Sequence, residues 1–243
     1  MADQTKSVVI PERDSLRVWL NTYLPGLYLL GVIAGIVDAA CFLGLGAVFA
    51  EMMTGNMVLF AFSVMGNDSL ARGDWANPWT YIFILVTFAI GAAVCGFLMR
   101  RSAALAKNRK LFMVQWVLMI VAALLATIFQ PTGAGVYSVL IVATLALGMG
   151  FQNALVIRHG VPNLATNLMT LTFTALFANS PKEDPMWIRR VFSILTFVVG
   201  ACIGVLLLNF GVAVPLWVAA ILMTIAVFWL ITRPAPPELS GRL

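Results

Sequence analysis

The sequence has few charges and few groups suited to acid–base or metal chemistry. Only 10% of its 243 residues are charged, and it contains one histidine and three cysteines. These cysteines, Cys41, Cys95 and Cys202, are widely spaced and predict neither a disulfide framework nor a metal cluster. The sequence also lacks His-Glu-x-x-His, Gly-x-Ser-x-Gly and any pair of carboxylates within one apolar segment. We therefore expect a protein that is not an enzyme and that needs no metal and no cofactor.

Apolar residues are what the sequence has in abundance. They make up 61% of the chain and recur in eight segments, more than one water-soluble core can bury. The runs are continuous, whereas strands of a membrane barrel alternate apolar with polar residues. The net charge of +5 lies in short connections, which predicts membrane orientation and no nucleic-acid partner. We predict an all-α protein in a lipid bilayer, with segments at residues 25–49, 52–65, 79–99, 111–129, 135–157, 164–178, 191–208 and 212–231.

The order of long and short segments repeats along the chain. The second and sixth segments are short, so each half reads long, short, long, long. Residues 84–88 followed by Gly91 resemble residues 193–197 followed by Gly200 at nearly the same spacing. The two halves therefore look like copies of one unit.

Positive charge predicts which segments cross the membrane, because cytoplasmic loops retain Lys and Arg. If all eight segments cross, nine basic residues lie inside and six outside. If the two short segments enter the membrane and return, fourteen lie inside and only Arg72 lies outside. The sequence therefore predicts six transmembrane helices, two re-entrant segments and cytoplasmic termini.

Three crossings per unit place the second unit upside down relative to the first. This predicts a 3+3 inverted-topology repeat, an arrangement that recurs in secondary transporters with a site near the midplane. The predicted parts are a cytoplasmic N-terminal tail (1–24), membrane repeat 1 (25–129), membrane repeat 2 (130–232) and a cytoplasmic C-terminal tail (233–243). Duplication without transport is the alternative.

Asp38 is an ionisable residue inside the first long segment, where a charge costs at least roughly 2.5 kcal/mol unless it faces protein or water. We expect it to bind substrate or couple protons, although a structural acid bonded to neighbouring backbone is the alternative. Its counterpart in the second half is Asn153, next to Gln152, and an inverted pair would bring Asp38 and Asn153 together. Interhelical hydrogen bonding is the alternative role for these amides.

Polar residues also begin both short segments. Thr54, Gly55 and Asn56 open the first, and Asn167 and Thr170 lie at the start of the second. Helix N-termini favour anionic groups, so two of them facing each other predict a pocket for an anionic or polar neutral solute. Simple capping of the short helices also explains these residue types.

Three further positions lie near predicted segment ends. Arg158 and His159 end the fifth segment and can gate access or relay protons, or serve only as interfacial anchors. Glu51 at the predicted outer surface can attract cations or simply mark the water boundary, and we favour the boundary.

Two motifs carry a family resemblance. The run from Gly35-Ile36-Val37-Asp38-Ala39 to Met53-Thr54-Gly55-Asn56, together with Gly150-Phe151-Gln152-Asn153-Ala154 and the following Arg158, resembles the YoaK family of bacterial transmembrane proteins, which contain a domain of unknown function. The resemblance implies a multi-pass protein of the bacterial inner membrane and suspected transport. In the second short segment, Leu171 stands where similar proteins tend to have glycine.

The sequence as a whole predicts a secondary transporter of a small solute, with proton coupling through Asp38 and the site between two inverted repeats. The alternatives are a channel for a small solute or ion, or a structural membrane protein. Small-xxx-small patterns such as Gly31 with Gly35, and Gly200 with Gly204, permit a homodimer as well as packing within one subunit.

Overall fold

The computed structural model describes residues 22–65, 77–101, 109–159, 169–178 and 187–234. Within these ranges the chain forms eight α-helices, a 3₁₀ turn at Arg109–Leu111 and no β-strand. In chain order the helices are α1 (Leu24–Gly44), α2 (Met53–Met65), α3 (Pro78–Arg101), α4 (Phe112–Phe129), α5 (Val136–His159), α6 (Met169–Ala178), α7 (Trp187–Leu208) and α8 (Ala213–Thr232).

Six of these helices are long and apolar enough to cross a membrane, namely α1, α3, α4, α5, α7 and α8, and α2 and α6 are shorter. The outer face of α3 carries Phe83, Ile90 and Phe97 at seven-residue intervals, and these side chains are 52%, 50% and 48% exposed. A helix with such a face is stable in lipid but not in water. The chain is therefore a multi-pass membrane protein, and the predicted pattern of six long and two short helices is confirmed.

Two helices occupy the centre of the bundle. In α1 and α5, 72% of the most apolar 18-residue window is buried, against 17% in α3 and α7. Helix α1 packs against α7 and α8, whereas α5 packs against α3 and α4, and α4 also contacts α8. The short helix α2 packs on α3, and α6 packs on α7.

The tightest of these contacts depend on glycine. A Cβ atom on Gly35 of α1 would overlap the carbonyl oxygen of Phe197 in α7, and one on Gly200 of α7 would overlap the carbonyl oxygen of Val32. Apolar side chains gain nothing by leaving lipid for protein, so van der Waals contact at short range holds such helices together. The packing role predicted for Gly35 and Gly200 is confirmed.

Helix α1 ends earlier than its apolar run. The sequence predicted a segment to residue 49, but the helix stops at Gly44. The prediction was wrong because the apolar run continues through residues with left-handed backbone, Gly46 at φ +97° and Ala47 at φ +57°. These residues reverse the chain, and residues 45–52, called here the 45–52 segment, return towards α1.

Candidate functional site

The 45–52 segment is fixed to α1 by Asp38. Oxygen Oδ1 of Asp38 accepts hydrogen bonds from the backbone N–H groups of Ala50 and Glu51, both at 2.9 Å, and the N–H of Met52 faces the same carboxyl. These residues immediately precede α2, which begins at Met53. The Asp38 side chain therefore fixes the backbone that leads into α2.

Asn56, in the first turn of α2, also holds the 45–52 segment. Its side chain is fully buried; Oδ1 accepts from the Phe49 N–H at 2.9 Å, and Nδ2 donates to the Phe49 carbonyl at 2.8 Å. An amide that pairs with both backbone groups of one residue acts like a neighbouring strand. Asn56 therefore holds the segment in one conformation, a role beyond the helix capping that was the alternative explanation from sequence.

Gly55 provides the space for this arrangement. A Cβ atom on Gly55 would lie 2.9 Å from the Phe49 ring, and that ring stacks on Phe42 with centroids 4.7 Å apart. The Phe49 ring thus packs against the side of Gly55 where another residue would carry its Cβ atom. In the second short helix, Leu171 is 60% exposed.

Glu51 is buried beside Asp38, although the sequence placed it at the water boundary. It is 6% exposed, and neither carboxylate oxygen has a hydrogen-bond partner among the described residues. The residue lies between α1 and α2, outside the six candidate spans. Burial, together with the nearby Asp38 carboxyl, raises the pKa of Glu51 to about 8, and the Asn153 side chain opposes this shift.

The second half of the chain contributes amides from α5. Gln152 is fully buried and Asn153 is 5% exposed. Both amide atoms of Gln152 and the Oδ1 of Asn153 have no hydrogen-bond partner among the described residues. In α4, Gln115 is also buried and donates to the Met149 sulfur at 3.2 Å. Buried polar groups in folded proteins are normally paired, so the unpaired atoms of the α5 amides require an explanation.

Asp38, Glu51 and Asn153 therefore lie together, joined through Glu51. The side chain of Asn153 approaches the Glu51 carboxylate closely enough to favour its charged form, although the geometry falls short of a hydrogen bond. We call Asp38, Glu51 and Asn153 the buried polar cluster. Its acidic members are the only Asp or Glu residues in the described part of the chain.

A cavity of about 340 Å³ is lined in part by the 45–52 segment. Leu45 and Val48 of the segment line it, with Thr80 of α3 and Val139 and Val142 of α5. The segment is tied to α3 as well, because the Tyr81 hydroxyl donates to the Ala47 carbonyl at 3.2 Å. The same short stretch of chain thus contributes Leu45 and Val48 to this cavity and Glu51 to the buried polar cluster.

The other predicted site residues are placed differently. The side chains of Thr54 and Thr170 are exposed near the starts of α2 and α6. Arg158 and His159 are the last two residues of α5, and their side chains fall outside what the structure describes, as does the whole of Asn167. Roles in binding or gating for these residues stay predictions.

The chemistry of the buried polar cluster is that of oxygen acceptors. No group of three or more His, Cys, Asp or Glu side chains that could hold a metal ion occurs among the described residues. Sequence reasoning missed Glu51 because it directly precedes a short apolar segment, a position typical of a membrane boundary. The signal that could have found it is the cost of any acid inside an apolar run.

Comparison with known proteins gives a family and little more. No curated protein and no solved structure was found to match the chain. A family model described as a protein of unknown function, DUF1275, matches residues 26–229. This span covers all six candidate membrane helices almost completely. The chain belongs to the DUF1275 family of proteins of unknown function.

Proposed function

We propose that this protein is a secondary transporter that moves a small solute across the bacterial inner membrane, with Asp38 coupling the movement to an ion. The observation that carries the proposal is the buried polar cluster, whose members come from α1, the 45–52 segment and α5 and carry oxygens with no hydrogen-bond partner among the described residues. Polar groups within a membrane are costly, and they typically mark substrate or ion pathways. Buried polar groups without a partner among the described residues are uncommon in folded proteins, and a bound solute or ion is one explanation for them.

Equivalent contacts in the two halves support an inverted repeat. Gly35 of α1 approaches the carbonyl of Phe197, and Gly150 of α5 approaches the carbonyl of Phe88 in the same way. Phe88 and Phe197 are equivalent in the sequence repeat. The contact between α1 and α7 thus corresponds to the contact between α5 and α3.

The reciprocal contacts agree. A Cβ on Gly200 would overlap the carbonyl of Val32, and one on Gly91 would overlap the carbonyl of Leu147. Val32 and Leu147 each precede the corresponding α1 or α5 glycine by three residues. The remaining contacts follow the same correspondence. The contact between α1 and α8 corresponds to the contact between α5 and α4, and the contact between α2 and α3 corresponds to the contact between α6 and α7.

The short helices fit re-entrant segments. Helix α2 has 13 residues and α6 has 10, which gives about 20 Å and 15 Å at 1.5 Å per residue, less than a hydrocarbon core of about 30 Å. The buried residue of α6 is Thr172, and Asn56 of α2 stands at the equivalent sequence position. With the positive charges inside, the two segments enter from opposite sides and the termini are cytoplasmic.

The experiment that tests the proposal begins with a ligand screen. Thermal stability of the purified protein is measured against small organic amines, acids, nucleobases and vitamins at two pH values, for wild type and Asp38→Asn. We expect at least one compound to stabilise the wild type in a pH-dependent manner and to lose this effect in the variant. Asparagine retains an oxygen that can accept the Ala50 and Glu51 N–H bonds, so the variant removes charge while keeping the fold.

Electrical recording separates a transporter from a channel. A channel on the same architecture conducts ions down a gradient through an open pore. We expect no single-channel currents in planar bilayers, because a secondary transporter moves its solute by alternating access and not through an open pore. Unitary currents that change in the Asp38→Asn variant would show that the protein is a channel and would contradict the proposed transporter.

A further inference from the structure

We propose that Asp38, Glu51 and Asn153 form a binding site for a small monovalent inorganic cation. The inference deepens the proposed function and rests on it, because the cation would be the ion that drives transport. Its geometric basis is the approach of two carboxyl groups and an amide from three separate parts of the fold: α1, the 45–52 segment and α5.

The site offers several free oxygen ligands. Asp38 Oδ2, both carboxylate oxygens of Glu51 and Asn153 Oδ1 are all buried, with no hydrogen-bond partner among the described residues. Gln152 Oε1, also buried and unpaired, belongs to the residue before Asn153. Hard cations such as Na⁺ and Li⁺ prefer oxygen ligands of this kind, and an amide oxygen supplies one without adding charge.

The charge of the site selects a cation over an anion. The free N–H groups before α2, the feature that would attract an anion, already donate to Asp38. What remains facing inward is acceptor oxygen on two acidic side chains, and burying charge without a partner is costly. This argues against the anionic solute that helix N-termini suggested from sequence, at least at this position.

The charge of the site also favours a monovalent ion. Among the described residues, two acidic groups lie together here, Asp38 from α1 and Glu51 from the segment, and the neighbouring titratable group is Cys41, one turn along α1. The amides of α5 are neutral. Divalent sites in proteins typically use more carboxylates, and no larger cluster of metal-binding side chains occurs in the described ranges.

The test is thermal unfolding of the purified full-length protein in chloride salts of Na⁺, Li⁺, K⁺ and tetramethylammonium, at constant ionic strength and about pH 9, where Glu51 is largely ionised. We expect the midpoint to rise with the logarithm of the Na⁺ or Li⁺ concentration, but not with tetramethylammonium. Beyond half-saturation, each tenfold increase in the cation should lower the unfolding constant about tenfold.

Variants locate the site. Glu51→Gln and Asp38→Asn keep the shape of the side chain and should lose the cation dependence. Ser138→Ala, which removes a buried hydroxyl bonded to the Gly133 carbonyl at the far end of α5, should be less stable yet keep the full dependence. Equal midpoints of the wild type in all four salts, or a dependence that survives Glu51→Gln, overturn the cation site.

Failure of the cation site and failure of the proposed transporter give different experimental results. Solute flux in liposomes that does not depend on the cation would overturn this inference and leave the transporter standing. Cation-dependent stability in a protein that moves no solute would keep the site and overturn the transporter.

Discussion

Replacing Gly91 by alanine tests the close approach of α3 and α5. A Cβ at this position would overlap the carbonyl oxygen of Leu147, a backbone atom that cannot move without shifting α5. The same substitution at Gly96, also in α3, would place Cβ 3.4 Å from the end of the Arg100 side chain, which is free to rotate away. Both variants gain the same helix propensity, so their difference isolates the cost of overpacking.

That cost is about 1–3 kcal/mol for an extra methyl group in a well-packed interface, and contact with backbone favours the upper end. A difference of about 3 kcal/mol corresponds to more than a hundredfold in the unfolding constant. Reversible unfolding in mixed micelles of a mild detergent and dodecyl sulfate measures it. If Gly91→Ala is as stable as Gly96→Ala within about 0.5 kcal/mol, the two helices do not approach as described.

Three further predictions follow from the same contacts. Gly35→Ala and Gly150→Ala should destabilise the protein by similar amounts, about 1–3 kcal/mol each, because their contacts are equivalent; a large effect in only one would contradict the repeat. Asn56→Ala leaves both backbone groups of Phe49 unpaired and should cost about 2–6 kcal/mol, at 1–3 per group, measured as a lower unfolding midpoint; no change would mean that the amide does not hold the 45–52 segment. The raised pKa of Glu51 means that the folded state binds more protons than the unfolded state between the ordinary glutamate pKa of 4.5 and about 8. Stability should therefore fall as pH rises through this window, by up to about tenfold in the unfolding constant per pH unit. Glu51→Gln should flatten that slope, and an unchanged slope would contradict the burial of Glu51.

The fold was largely predictable from hydropathy, since length and apolar composition alone separate the six long helices from the two short ones. The end of α1 was not predictable in this way. Residues 45–49 are as apolar as the helix before them, and only the left-handed backbone at Gly46 and Ala47 reveals the reversal. The start of α7 was also misplaced, because Arg189 and Arg190 break the apolar pattern while remaining helical from Trp187.

The candidate site was predictable in part. Asp38 and Asn153 could be identified because polar residues inside apolar runs are rare and costly. Their connection through Glu51 could not, because it depends on the 45–52 segment folding back onto α1. The role of Asn56 was also hidden, since a sequence does not distinguish an amide that caps a helix from one that pairs with Phe49.

The measurement that tests the central claim most directly is counterflow in proteoliposomes, using the compound that stabilises the purified protein. Vesicles loaded with unlabelled compound should accumulate the labelled form transiently with the wild-type protein. Asp38→Asn and Glu51→Gln should lose the dependence of uptake on the ion gradient, whereas Ser138→Ala should retain it. Gradient-driven uptake that is unchanged in both acidic variants would contradict a transport site built on the buried polar cluster.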